Sequence, residues 1–565
     1  MSKTLLARAL STALTAGAIS ATLSGALRAD DDRGHESYKH VLLISIDGMH
    51  AVDYENCIKA GTCPTLAKLG RQGVSYTRTS TSKPSDSFPG LMALVTGGSP
   101  KTVGAFYDVA YDRVLAPPTV TTGNGVAGGT CTPGVANGTT TEYEEGIDLD
   151  KTALNGGAPG AALTDGTALA IDSKRLPRDP LNGCKPVYPW NFVRTNTIFG
   201  VVHAAGGYTA WSDKHPAYSS VSGPGPGTTP ENLDDYYSPE INSTVVPLPG
   251  LTTATGLSCI TIPDPTSDLT AWTNSFQNIQ CYDQLKVNGI LNQIEGKTHD
   301  GSKRAPVPTV FGMNYQAVSV GEKLIEGTVK GGYTDAKATP SANLLSEIKF
   351  VDATLGQMVA ALSKQGLLDT TLIVITAKHG QSPIDPARYV AQTKHGTSPA
   401  TILAADLPYS ESPLNPTGIG PTEDDISQIW LSEGANTETA VGLLEENATA
   451  AGIGEILYGA TLETQFNKPG IPPAGDSRTP DIIVLPNIGV TYSSSSKKQE
   501  EHGGFAPDDT NVMLLVSNPA LRPKTLTAFV ETLQVAPTIL RALGLEPSAL
   551  EAVRKEGTAV LPGLF

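Results

Sequence analysis

The sequence predicts an α/β fold, a mostly parallel sheet with helices on both faces and long irregular insertions. Two continuous apolar runs carry most of this expectation. His40–Ile46 (HVLLISI) stops at Asp47-Gly48, and Thr371–Thr376 (TLIVIT) stops at Lys378-His379-Gly380; strands buried on both faces read as unbroken apolar runs. The third observation is the alternation of such runs with helical spacing along the chain, the pattern of a parallel sheet wrapped by helices.

The remaining elements follow in order. Pro64–Gly73 opens on Pro and closes on Gly, as helices do, and Phe88–Val95 reads as a helix. Thr195–Ala205 is a helix candidate, Tyr208–Ser212 a strand, Val307–Met313 a strand, and Ala342–Gln365 a helix. Ala400–Ala404, Asp481–Leu485 and Val512–Val516 are further strand candidates, and Ala528–Leu543 is a closing helix. Segments at about 110–190 and 217–300 are rich in Gly, Thr and Pro and read as insertions. The organisation expected is a signal peptide at 1–29, one domain over 38–550 carrying the two insertions, and a tail at 551–565.

The 565 residues include 58 Gly and 42 Pro, with 39% apolar and 17% charged residues, which excludes a coiled coil and a disordered chain. A net charge of −16 excludes a nucleic-acid track, because nothing neutralises a line of phosphates. Lys3 and Arg8 precede an apolar, small-residue run from Ala9 to Leu27, with cleavage positions near Ala26 and Ala29, the make-up of an export signal. No other stretch is long and apolar enough to span a bilayer, so a periplasmic or secreted protein is expected. The six cysteines, Cys57, Cys63, Cys131, Cys184, Cys259 and Cys281, then read as disulfides. Cys57 and Cys63 suit a local loop, and the other four leave three pairings open.

Ligands of open α/β sheets collect at the carboxyl ends of the strands. Asp47, Asp213-Lys214-His215 and Lys378-His379 sit there, and Glu501-His502-Gly503-Gly504 lies in a loop before a strand. Ser87 sits at or near a helix N-cap, where backbone N–H groups and the helix dipole favour an anion; the same placement suits a nucleophile. Asp352 reads as an exposed helical acid, and Asp508-Asp509 as a turn.

The motifs Ile44-Ser-Ile-Asp47-Gly48, Ser87-Phe-Pro with Val95-Thr-Gly97, Leu372-Ile-Val-Ile-Thr-Ala-Lys-His379-Gly380, Glu501-His502-Gly503 and Val535-Ala-Pro-Thr-Ile-Leu540 occur in this order. Together they resemble the alkaline phosphatase superfamily, most nearly its type I phosphodiesterase/nucleotide pyrophosphatase branch, from about residue 40 to 545. The resemblance implies an alkaline phosphatase-like fold and an exported phosphohydrolase acting on a small phosphate ester. It implies Ser87 as the nucleophile that forms a covalent phospho-enzyme, Asp47, Ser87 and His379 as ligands of one zinc, and His502 as a ligand of a second.

The chain departs from the family where an Asp should precede His379 and Lys378 stands instead. The loop written P-D-x-x-G-H has as its apparent counterpart Met313-Asn314-Tyr315-Gln316-Ala317-Val318, without either ligand. The family's Asn after Phe-Pro is Gly90, and a second Asn is Asp108. An ammonium can stand in for part of a cation's charge, so Lys378 is expected to stabilise phosphoryl oxygens, with Lys214 as a second clamp and His215 as a general acid. Asn314 remains an oxygen ligand for a divalent metal, expected to be zinc and one ion rather than two. The competing reading is a catalytically degenerate relative that serves as a binding or envelope protein; no partner protein can be named.

Overall fold

The computed structural model describes residues 38–143, 150, 170–241, 251–259, 273–392, 397–406, 422–431, 436–493 and 498–565. The expected signal peptide lies outside them. Residues from Ser37 onward form one unit.

Its centre is a six-stranded sheet. The strands are β1 (His40–Ile46), β2 (Gly73–Tyr76), β3 (Val310–Tyr315), β4 (Thr371–Thr376), β5 (Leu514–Ser517) and β6 (Lys524–Leu526), in the spatial order β3-β1-β4-β5-β2-β6. β1 pairs in parallel with β3 and β4, and β2 with β6, while β5 runs against β4 and β2. The period-2 rule explains why β1 is apolar throughout. Leu42, Ile44 and Ile46 belong to one core cluster, and Val41 and Leu43 to the other.

Helices cover both faces. On the first lie α1 (Ala51–Lys59), α2 (Pro64–Gly70), α4 (Phe276–Ile294), α5 (Ala317–Lys323) and α6 (Ala342–Lys364); on the second lie α3 (Ser87–Thr96) and α7 (Val535–Ala542). α3 is buried along its whole length, which its sequence SFPGLMALVT allows because it carries no charge. A four-stranded antiparallel sheet, Thr422–Glu423, Ser427–Ile429, Ile482–Pro486 and Ile453–Tyr458, has its own apolar core beside the helix Thr437–Glu446.

Several expectations need correction. Ala400–Ala404 belongs to a helix, Pro399–Asp406, since a short apolar run fits either element. The stretch 217–300 is not irregular throughout: its last part is the 19-residue α4, where Ile279, Tyr282, Val287, Ile290 and Ile294 are buried. The expected tail carries the helix Glu551–Glu556, and Leu561 and Leu564 are buried. Asp352 is 3% exposed, not a surface acid; it accepts from the backbone N–H groups of Thr65 and Leu66, donors that the first turn of α2 leaves free. The cysteines pair Cys57–Cys63, Cys131–Cys184 and Cys259–Cys281. Among the described residues no helix is long and apolar enough to cross a membrane.

Candidate active site

Asp47 is the first residue beyond β1, and Lys378-His379 lie just beyond β4, its parallel neighbour. Asn314 is near the end of β3, and Asp213-Lys214-His215 follow the short strand Ala210–Trp211, which bridges β3 through Ser212 and Met313. β5 runs the other way, so the loop before it, with His502, arrives at the same edge. The topology thus gathers groups from five parts of the chain.

Ser87 stands at the first turn of α3, with Asp86 as the N-cap residue. Its Oγ is 3.1 Å from His379 Nε2 and 3.2 Å from Lys214 Nζ. His379 Nδ1 is 2.9 Å from the Gly380 carbonyl oxygen. With the proton on Nδ1 donated to that carbonyl, Nε2 turns its lone pair to the Ser87 hydroxyl. The His379 and His502 rings lie 4.1 Å apart, and His502 Nδ1 faces Asp86 Oδ1 at 3.0 Å. Burial, then the positive charges of His379 and nearby lysines, push the His502 imidazole well below its ordinary range.

Asp47 is fully buried. Its Oδ2 accepts from Asn314 Nδ2 at 3.1 Å and Gln316 Nε2 at 2.7 Å, and lies 3.6 Å from both Lys378 Nζ and His379 Nε2. Burial alone would raise this carboxyl, but Lys378, His379 and Lys214 overrule it and hold Asp47 well below the usual carboxylate range. Lys378 Nζ also donates to Asp213 Oδ1 at 3.1 Å and sits 4.1 Å above the Tyr218 ring. Asp213 is locked in turn by the Trp211 indole N–H at 3.0 Å. Gly90 makes this possible: a Cβ there would strike the Lys378 backbone. The two departures from the family pattern are packed partners.

Of the residues singled out in the sequence, Asp47, Ser87, Lys214, Lys378, His379, His502 and Asn314 come together. His215 turns to Glu240, with Nδ1 at 2.7 Å from Oε1, and stacks on Tyr218. Asp213, Glu240, Tyr218 and Asp86 complete the site and were not assigned from the sequence; the Asp-Lys-His run at 213–215 was the available signal for Asp213.

The donor set does not fit a zinc pair or the single ion expected on Asp47, Ser87, His379, His502 and Asn314. Asn314 presents its amide N–H to Asp47 rather than its oxygen, and His502 faces Asp86. Asp47 Oδ1 is buried without a partner and would suit a cation. Two ammonium groups nevertheless lie within 3.6 Å of the oxygens that would bind it. A dication about 4 Å from one ammonium is opposed by roughly 8 kcal/mol at an effective dielectric of 20. The lysines already supply the positive charge.

A family model for type I phosphodiesterase / nucleotide pyrophosphatase matches residues 41–145 and 332–507. Murine ectonucleotide pyrophosphatase/phosphodiesterase 5 aligns at 15% identity over 90% of this chain and 96% of its own, with a TM-score of 0.51. The alkaline phosphatase PafA aligns at 12% identity over 90% and 96%, TM-score 0.52. Phosphonoacetate hydrolase from Sinorhizobium meliloti 1021, in complex with phosphonoformate, aligns at 14% over 90% and 96%, TM-score 0.50. No curated protein sequence matches. Relatives of this family normally depend on a metal, zinc in this superfamily. The ordered motifs, the sheet and the family match together make this chain a member of the alkaline phosphatase superfamily, on its type I phosphodiesterase/nucleotide pyrophosphatase branch, and a phosphoester hydrolase.

Proposed function

We propose that the chain is an exported phosphodiesterase-type hydrolase in which Ser87 is the nucleophile and ammonium groups take the place of the zinc pair. The observation that carries this reading is the position of Ser87 Oγ, between His379 Nε2 at 3.1 Å and Lys214 Nζ at 3.2 Å. His379 takes the hydroxyl proton while the Ser87 oxygen forms a bond to phosphorus and the ester oxygen leaves. Lys214 and Lys378 face the charge that builds on the phosphoryl oxygens. His215, held by Glu240, gives its proton to the leaving oxygen. Water then attacks the phospho-enzyme from the side the ester oxygen left: His215, now without its proton, takes one from the water, the bond from Ser87 to phosphorus breaks, and His379 returns the hydroxyl proton to the serine oxygen.

Export is supported by the apolar N-terminal run and by three disulfides among the described residues. A small phosphate ester is supported by the family match and by the AMP complex of an inactive murine ectonucleotide pyrophosphatase/phosphodiesterase 5.

The test is hydrolysis of an aryl phosphodiester and an aryl monoester by the mature chain and by Ser87→Ala. The expected result is turnover of the diester and a loss of at least about 10⁴-fold in the variant, with unchanged thermal unfolding. No turnover of either ester by the wild type favours the degenerate binding protein instead.

A further inference from the structure

Three residues beyond Asp47, a second buried cluster begins. His50 and Asp53 stand at the start of α1, Glu322 near the end of α5, and Tyr333 in the loop after the strand Val329–Lys330. His50 Nδ1 lies 3.1 Å from Asp53 Oδ2, 3.3 Å from Glu322 Oε1 and 2.8 Å from Tyr333 Oη. Tyr333 Oη lies 2.9 Å from Asp53 Oδ2 and 2.8 Å from Glu322 Oε1. Five edges of a compact tetrahedron of donor atoms are therefore close to the roughly 3.3 Å that separates ligands bound at about 2.0 Å to a four-coordinate ion.

Two further observations point to a cation. His50 Nε2 is 2.7 Å from the Asp508 carbonyl oxygen and 2.9 Å from that of Gln381, with the Gln381 N–H also 3.1 Å away; with the proton on Nε2 donated to these carbonyls, the Nδ1 lone pair faces the carboxylates. That is how a metal-bound histidine is normally held. Charge is also out of balance: Asp53, Glu322 and the neighbouring Glu500 are all buried, and one imidazole answers three carboxyls. Glu322 Oε2 and Glu500 Oε2 are buried with no hydrogen-bond partner. Gly48, at φ +86, keeps room for Glu322, because a Cβ there would strike Oε2. Buried carboxylates in excess are held by a metal or neutralised by protons.

We propose that His50 Nδ1, Asp53 Oδ2, Glu322 Oε1 and Tyr333 Oη bind one Zn²⁺. The ion braces the Asp47-Gly48 turn from behind and takes no part in the reaction at Ser87.

The test is elemental analysis of the folded, chelator-stripped chain after dialysis against Zn²⁺, with Co²⁺ loaded in parallel. Wild type and His379→Ala are expected to hold about one ion per chain, and Glu322→Gln and Asp53→Asn below about 0.1. Should those two variants fail to fold, the wild type decides: Co²⁺ is expected to give the intense visible absorption of a four-coordinate ion. Wild type that takes up no ion, a faint six-coordinate Co²⁺ spectrum, or an ion lost in His379→Ala and kept in Glu322→Gln would each overturn the proposal. The Ser87→Ala assay reads the catalytic proposal separately.

Discussion

Two buried polar clusters flank the end of β1, and they balance their charge differently. On the Asp47 side, Asp47 and Asp213 share the Lys378 ammonium, and Lys214 donates to the Ser87 hydroxyl. On the His50 side, Asp53 and Glu322 meet a histidine and a tyrosine, with Glu500 buried nearby. The contrast teaches that the ligand chemistry of a relative cannot be transferred position by position. At position 378 the lysine sets its ammonium 3.1 Å from Asp213 and 3.6 Å from Asp47, where the family pattern has a carboxylate.

The contrast can be broken most sharply at Lys378. Lys378→Met leaves Asp47 and Asp213 buried without their shared cation, and about 3–5 kcal/mol of stability should be lost in urea unfolding. A loss under about 1 kcal/mol would mean that the lysine does not neutralise the pair. Lys214→Ala comes next: turnover of an aryl phosphodiester should fall about 10²–10³-fold, with KM changed far less than kcat. A change confined to KM would make Lys214 a substrate contact only.

Glu423, in the small sheet, gauges what burying a carboxyl costs in this protein even when Ala400 N–H and the Ser427 hydroxyl donate to it. Burial pushes it from 4.5 up to about 7. Its folded form thus holds a proton that the unfolded chain has released, so stability should fall as pH rises from about 4.5 to 7 and level off above. The drop is at most roughly 3 kcal/mol, and Glu423→Gln should flatten that part of the profile. An unchanged slope in the variant would place the titration elsewhere. The smallest effect is at Gly90. Gly90→Ala presses on the Lys378 backbone and should cost about 1–3 kcal/mol in thermal unfolding, lowering turnover with it; a neutral result would uncouple the two positions.

Much of this arrangement was legible in the sequence where local pattern and position coincide. β1 and β4 match their apolar runs to the residue, and the polar groups that stop them, Asp47 and Lys378-His379, are the ones that meet. What was not legible depended on distant partners. Asp352 looked exposed because the N–H groups it caps lie 287 positions away at Thr65. Asp53 and Tyr333 are 280 apart, and nothing in either neighbourhood signals the other. The expectation of an ion at Ser87 came from the family pattern; Lys378 and Lys214 were expected beside it, and the side-chain geometry sets them 3.6 Å from Asp47 and 3.2 Å from Ser87.

The central claim is that Ser87 attacks with lysine charge in place of zinc. It is tested most directly by aryl phosphodiester turnover before and after divalent ions are stripped to below about 0.1 per chain, with folding checked by circular dichroism. The account predicts that kcat stays within about threefold. A fall beyond about 100-fold that added Zn²⁺ restores in the wild type and in Glu322→Gln alike, where the ion behind Asp47 is not held, would contradict it.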